Sequence, residues 1–285
     1  SDAQYNLNID LSSIDKPNIS FQVYEFDYNT VLIDSLELQC NFKGNFKGAC
    51  EVLSLASLTL PNIKLNNLAG TLEIDKLNYT LRDLRIETDV GNGELIYGQY
   101  SPDLHALNCK LKIVHIDKMA KLFNLSPLIE GGVLQLEINY YKNKDSSFTN
   151  LNIQSGDFKI DDFSITGSNI KFKEINKKLE YEVNLYNPKI SEIRFDTLYL
   201  NGGGEKNSYF NSIKGYNNST GENIESKLTF LNYDSVNIHY IKGKLKGIPF
   251  SSEGIKFSLN DGIISSSPIN ISFGAGTIYS QIKFL

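Results

Sequence analysis

Apolar and polar residues alternate one by one along most of this chain, and that period of two constrains its fold more than any other feature. Leu68, Gly70, Leu72 and Ile74 alternate with Ala69, Thr71 and Glu73. The same beat runs through Leu84, Ile86, Thr88 and Val90, through Leu107, Cys109, Leu111 and Ile113, and through Leu134, Leu136, Ile138 and Tyr140. It returns at Val236, Ile238 and Tyr240, at Ile255, Phe257 and Leu259, at Ile269, Ile271 and Phe273, and from Ile278 to Phe284. Successive side chains of a strand point to opposite faces, so each of these segments has one apolar and one wet face. One-sided strands build antiparallel sheets covered on a single face, whereas strands of parallel sheets are apolar on both. Gly91-Asn92-Gly93, Asn260-Asp261-Gly262 and Gly274-Ala275-Gly276 read as the hairpin turns between runs. The expected fold is mostly β, a meandering antiparallel sheet.

One segment departs from the beat. Ile116 to Leu125 has helical spacing, with Met119, Leu122 and Phe123 on one side and Asp117 as a candidate N-cap. Pro127 and Gly131-Gly132 end it. The spacing predicts a short helix over 116–125 that caps the sheet. Asn201 to Gly221 is polar and rich in Gly and Asn, and reads as loops around a weak strand at Tyr209 to Ile213. It is the one candidate for an internal boundary in what otherwise reads as a continuous β-rich piece, 1–285.

The bulk numbers narrow the function classes. Hydrophobic residues are 41 % of the chain, enough for a sizeable core, and the net charge is −5 with no basic block longer than Lys177-Lys178. A nucleic-acid surface needs clustered Lys and Arg, so no nucleic-acid partner is expected. Three cysteines exclude a disulfide scaffold. Cys40 and Cys50 flank a tandem Asn-Phe-Lys-Gly repeat; they either bridge a hairpin in an oxidising compartment or serve as two small apolar strand residues. Cys109 reads as core. No apolar run is long enough to span a membrane as a helix. These residues contain no signal peptide and start mid-pattern at Ser1-Asp2-Ala3, so the chain reads as part of a longer protein, with any anchor or export signal expected outside these residues.

Residues that carry chemistry are sparse. His105, His115 and His239 share no metal-ligand spacing, and no Cys-x-x-Cys accompanies them. Gly-x-Ser-x-Gly, Walker and His-Glu-x-x-His motifs are missing from the sequence. Gly202-Gly203-Gly204 lacks the strand-before, helix-after setting of a phosphate loop and reads as a flexible connection. Asp89 and Asp161-Asp162 have no sequence partner, and acids on a wet strand face are ordinary. Asn-x-Ser/Thr triplets begin at Asn18, Asn78, Asn124, Asn217, Asn218 and Asn270, as chance produces in an Asn- and Ser-rich chain. No enzyme, metal or cofactor is expected.

Three segments carry a family resemblance. The first is Leu68 to Asp75 with Leu81 to Ile86 and Gly91-Asn-Gly-Glu-Leu-Ile-Tyr-Gly98, a strand, a Gly-rich turn and a return strand ending in Gly. The second is Ile116 to Ile138, a short helix, Gly131-Gly132 and a strand. The third is Leu245-Lys-Gly-Ile-Pro-Phe250, Ile255 to Gly262 and Pro268 to Thr277, with an Asp-Gly turn, a Pro-led strand and Gly-x-Gly-Thr. Together these resemble the AsmA-like family, relatives of TamB, over a little under half the chain. The resemblance implies an elongated, curled antiparallel sheet with an apolar groove. It also implies a periplasmic protein anchored in the inner membrane that helps move phospholipid between inner and outer membrane. It implies no catalytic residues.

The apolar face itself admits two readings. In one it is the inside of a β-sandwich, two sheets about 10 Å apart. In the other it is an open trough for acyl chains, lined by Leu72, Ile74, Leu84, Ile86, Leu111, Ile113, Leu136, Ile138, Ile238, Phe257, Ile271 and Phe273, some of them packing under the helix. Periodicity does not separate the two; the resemblance favours the trough. The alternative is a structural or outer-membrane assembly module without lipid cargo, docking envelope proteins through a strand edge. A surface adhesin is a third, weaker reading.

Overall fold

The structure, a computed structural model, describes residues 4–10, 18–28, 31–43, 47–60, 63–118, 129–160, 162–205, 207–231, 234–260 and 263–284. The chain divides into two compact units, Ser1–Asn150 and Leu151–Leu285.

In the first unit the meander is strictly sequential. β1 (Gln4–Asp10), β2 (Asn18–Tyr28), β3 (Val31–Lys43), β4 (Lys47–Leu60), β5 (Ile63–Asp75), β6 (Asn78–Thr88), β7 (Gly91–Ser101) and β8 (Leu104–Ile113) each pair antiparallel with the next. A short β9 (Ile129–Glu130) precedes β10 (Leu134–Asn143), which pairs with β8. Turn chemistry explains the tight reversals. At Asp89-Val90, Thr88 Oγ1 accepts the N–H groups of Val90 and Gly91 and donates to Gly91 O. At 144–146, Asn143 Oδ1 accepts the Asp145 and Ser146 N–H groups. The turn before β7 thus lies at Asp89-Val90, and Gly91 to Gly93 already belong to the strand.

Helical backbone is described at Ile116–Lys118; residues 119–128, including Met119, Leu122 and Phe123, lie outside the described residues. The turn begins one residue before Asp117, so Asp117 sits in its first turn, where a carboxylate still suits the positive end of the peptide dipoles.

β11 (Ser147–Ser155) leads into the second unit. There β14 (Gly167–Ile175), β15 (Lys178–Tyr186), β18 (Thr197–Glu205), β19 (Ser208–Tyr216), β20 (Asn223–Leu231), β21 (Ser235–Leu245) and β22 (Ile248–Asn260) form the main antiparallel ladder. β23 (Ile263–Ser266), β24 (Ile269–Phe273), β25 (Gly276–Ser280) and β26 (Lys283–Phe284) complete its far side. A side sheet is built from β12 (Phe158–Ile160), β13 (Phe163–Ile165), β16 (Lys189–Ile190) and β17 (Ile193–Arg194). Its β16 and β17 fill the connection between β15 and β18.

The reading of 201–221 as loops around a weak strand is corrected. Gly202 to Gly204 lie inside β18, opposite Tyr181, Glu180 and Leu179. A side chain at Gly204 would strike the backbone carbonyl of Ser208 across the hairpin, and one at Gly202 would meet the Tyr181 hydroxyl at 2.6 Å. Glycine is here because neighbouring groups approach closely, not because the backbone is loose. Among the described residues Asn217 to Glu222 connects β19 to β20 as a loop.

Candidate functional site: the apolar sheet face

The registers turn the alternating sequence into continuous apolar rows. In the first unit Ile9, Ile19, Cys40, Cys50, Leu72, Leu81, Gly98, Leu107 and Tyr140 stand side by side across nine strands. Further rows on the same face are Leu84, Leu95, Cys109 and Ile138, then Leu68, Ile86, Gly93, Leu111 and Leu136, then Gly91, Ile113 and Leu134. Two bulges keep the rows in phase. Asp83, with φ 52°, is the extra residue between Leu81 and Leu84, and Ile96 is the extra residue between Leu95 and Tyr97.

The opposite face is charged. Cross-strand pairs Lys47–Asp75, Arg85–Glu94 and Lys110–Glu137 bridge it at 2.8, 3.5 and 3.2 Å, and the Arg82 guanidinium lies 5.6 Å from the Tyr97 ring centre. These pairs are solvent-exposed, so each contributes at most about 1 kcal/mol. Their main consequence is to fix which face meets water.

The eight expected lining residues of the first unit, Leu72, Ile74, Leu84, Ile86, Leu111, Ile113, Leu136 and Ile138, all lie on this one face. In the second unit Ile238 stands opposite Ile255, Phe257 opposite Val236, and Phe273 opposite Phe250, with Ile271 two residues before Phe273. All four again share a face. Their burial separates the two readings of that face in part. Of the twelve, only Ile113 is buried, at 8 % exposure, while Leu111 and Phe273 are 37 % and 41 % exposed. The remaining nine are half-buried. Residues in the middle of a closed sandwich are normally sealed. Among the described residues the buried apolar side chains are Val23, Val90, Cys109, Ile113, Ile165, Pro188, Phe195, Ile255 and Ile269.

A cleft of about 490 Å³ lies across β6, β7, β8 and β10. Its lining takes three consecutive residues from each strand, centred on Ile86, Gly93, Leu111 and Leu136. It is therefore bounded by backbone and by side chains of both parities, Arg85, Glu94, Lys110 and Glu137 included. It is a depression in the sheet and not a hydrocarbon tunnel. At Gly93 the row has no side chain between Ile86 and Leu111, and Leu111 leans into that space, so a methyl there would meet Leu111 Cδ2 at 2.6 Å.

Cys40 and Cys50 are direct register partners on β3 and β4 and are joined by a disulfide. Cys109 is buried, and burial raises the pKa of its thiol. His105 stacks on Tyr100 at 4.8 Å, and His239 meets Thr229 Oγ1 at 2.8 Å; neither joins a metal-binding group. Among the described residues no cluster of His, Cys, Asp and Glu suits a metal ion, and no helix is long and apolar enough to cross a membrane.

One feature of the second unit is not legible in the periodicity. The connection between β15 and β18 folds back on the apolar face. Phe195 is 7 % exposed and sits 3.2 Å from where a Gly215 side chain would begin, beside Leu198 and Ile224. Pro188 is fully buried, and its carbonyl accepts the Phe195 N–H at 3.0 Å. This corner is sealed by protein.

The fold and face define a class: an open antiparallel β-sheet protein with one apolar and one charged side. No family model, curated protein or solved structure matches the chain.

Proposed function

We propose that this chain is a lipid-binding β-surface of an AsmA-like envelope protein, without enzymatic activity, that assists phospholipid passage between inner and outer membrane. The observation that carries the reading is the long run of apolar rows whose side chains stay half-exposed in both units. Water is a poor environment for such rows, and exposed apolar patches beyond a few hundred Å² mark a partner or ligand.

An acyl chain gains from the same surface. Each methylene removed from water is worth about 0.8 kcal/mol, so a chain of roughly 16 methylenes gains on the order of 12 kcal/mol. Apolar contact is non-directional, so a chain can move between rows about 4.8 Å apart without losing it. The head group stays in water. The Cys40–Cys50 bridge supports a site outside the cytosol, since disulfides persist in oxidising compartments such as the periplasm.

The test is direct. Organic extraction of the purified protein followed by mass spectrometry should recover phospholipid, and the delipidated protein should take up a fluorescent phospholipid. A lipid-free protein that takes up none contradicts the proposal. The result would favour an assembly module, for which the sealed Phe195 corner and the β1 edge argue. Among the described pairings β1 pairs only with β2, leaving Leu7 and Ile9 55 % and 49 % exposed.

A further inference from the structure

A second cleft, of about 550 Å³, lies in the second unit at the Phe195 corner, with Phe195 and Asp196 in its lining. Ser164 on β13, Lys189 on β16 and Arg194 on β17 are register partners in one row across three short strands and line it together. Lys189 and Arg194 are thus two cations directly opposite each other. Register partners have Cβ atoms about 5 Å apart, and like charges in that relation are destabilising. Among the described residues neither side chain has an ion pair or a side-chain hydrogen bond.

Of the acids nearby, Glu192 is paired outside the cleft and Asp196 is part of its lining, which leaves two cations against one carboxylate. Glu192, in the turn between β16 and β17, binds Lys246 at 2.6 Å, and that ammonium holds its carboxyl below the usual range. Asp196 Oδ2 accepts the Asn218 N–H at 2.9 Å. Ser219 and Thr220 also line the cleft, and the Thr220 hydroxyl donates to Glu222 Oε2 at 3.1 Å.

We propose that this cleft binds a phosphoryl group, with the Arg194 guanidinium and Lys189 ammonium as its cationic partners. A dianion between the two converts their repulsion into two attractions. The planar guanidinium fork matches two phosphoryl oxygens, and the ammonium adds a point charge. The Ser219 hydroxyl suits a remaining oxygen. The phosphoryl group belongs either to a lipid head group or to free phosphate. The lipid source rests on the function proposed above; the anion site does not.

The experiment uses the full chain, with inorganic phosphate, dihexanoyl-phosphatidic acid and dihexanoylglycerol as probes. Arg194→Gln, Lys189→Gln and the double variant are compared with the wild type by calorimetric titration and thermal melting. Phosphate should raise the Tm of the wild type but not of the double variant. Its affinity should fall at least tenfold in Arg194→Gln and weaken with added salt. Without phosphate the double variant should melt no lower than the wild type, which shows that it folds. Phosphatidic acid binding ten times tighter than phosphate supports the head group as the source. Equal affinities keep the anion site and overturn the lipid source. Dihexanoylglycerol binding that ignores both substitutions reports the apolar face alone, so failure of the lipid reading is seen separately. A phosphate response that is missing, or unchanged in the double variant, overturns the site.

Discussion

The Phe195 corner of the second unit and the Ile86 row of the first share one strand pattern and differ in what covers them. At the corner, the segment between β15 and β18 returns over Leu198, Gly215 and Ile224 and places Phe195 and Pro188 out of water. Along the row Leu68, Ile86, Gly93, Leu111 and Leu136 no described segment seals the surface, and Leu111 remains 37 % exposed. The pattern in sequence is identical in kind. Alternation therefore decides which face is apolar, and insertions between strands decide whether protein or something else covers it.

Substitutions break the comparison in order of size. A carboxylate at Ile165, in the side sheet at 3 % exposure, has no partner and no water. Ile165→Glu should cost several kcal/mol and leave the second unit unfolded in urea titrations followed by circular dichroism. Ile86→Glu should shift the urea midpoint only slightly, because Ile86 keeps access to solvent, yet it should strongly reduce uptake of fluorescent phospholipid. Equal unfolding by both substitutions would mean that the row is a core.

Truncation gives a smaller contrast. Phe195→Ala should cost about 3–5 kcal/mol by emptying a sealed site, and Leu111→Ala about 1 kcal/mol or less. Chemical denaturation of the two variants compares them. Reducing the Cys40–Cys50 bridge should cost roughly 2–3 kcal/mol, since it closes a loop of about ten residues. That loss should appear as a lower midpoint with reductant and vanish in a Cys40→Ser, Cys50→Ser double variant.

The smallest effect is on the wet face. The Lys242 ammonium, followed by the Tyr240 hydroxyl, holds the Glu225 carboxyl below the usual range. A lowered folded-state value means that its stabilisation is present above the unfolded carboxylate range and fades as pH falls through the folded value. The group is solvent-exposed, so Lys242→Met should move the Glu225 titration upward by NMR while hardly changing the melting temperature.

Much of this was legible in the sequence. The strands through Leu72, Leu84, Leu111, Leu136, Ile238 and Phe257 appear where the alternation puts them, and every expected lining residue lies on the apolar face of its unit. Three things were not. The bulges at Asp83 and Ile96 leave no mark on composition, yet they keep Leu81 with Leu84 and Leu95 with Gly98 on one face. The glycines at 202–204 imitate a loop, because propensity does not record that Tyr181 and Ser208 need the space. The cover at Pro188 and Phe195 comes from a stretch too short to carry a period.

The central claim is that hydrocarbon other than protein lies against the Ile86 row, and parity gives it a sharp test. A photoreactive benzophenone side chain placed at Leu111 or Leu136, and separately at Lys110 or Glu137, can be irradiated in cells and the adducts read by mass spectrometry. The account predicts phospholipid adducts from positions 111 and 136 and none from 110 and 137. Equal labelling of both parities, or protein adducts alone from Leu111 and Leu136, would contradict it.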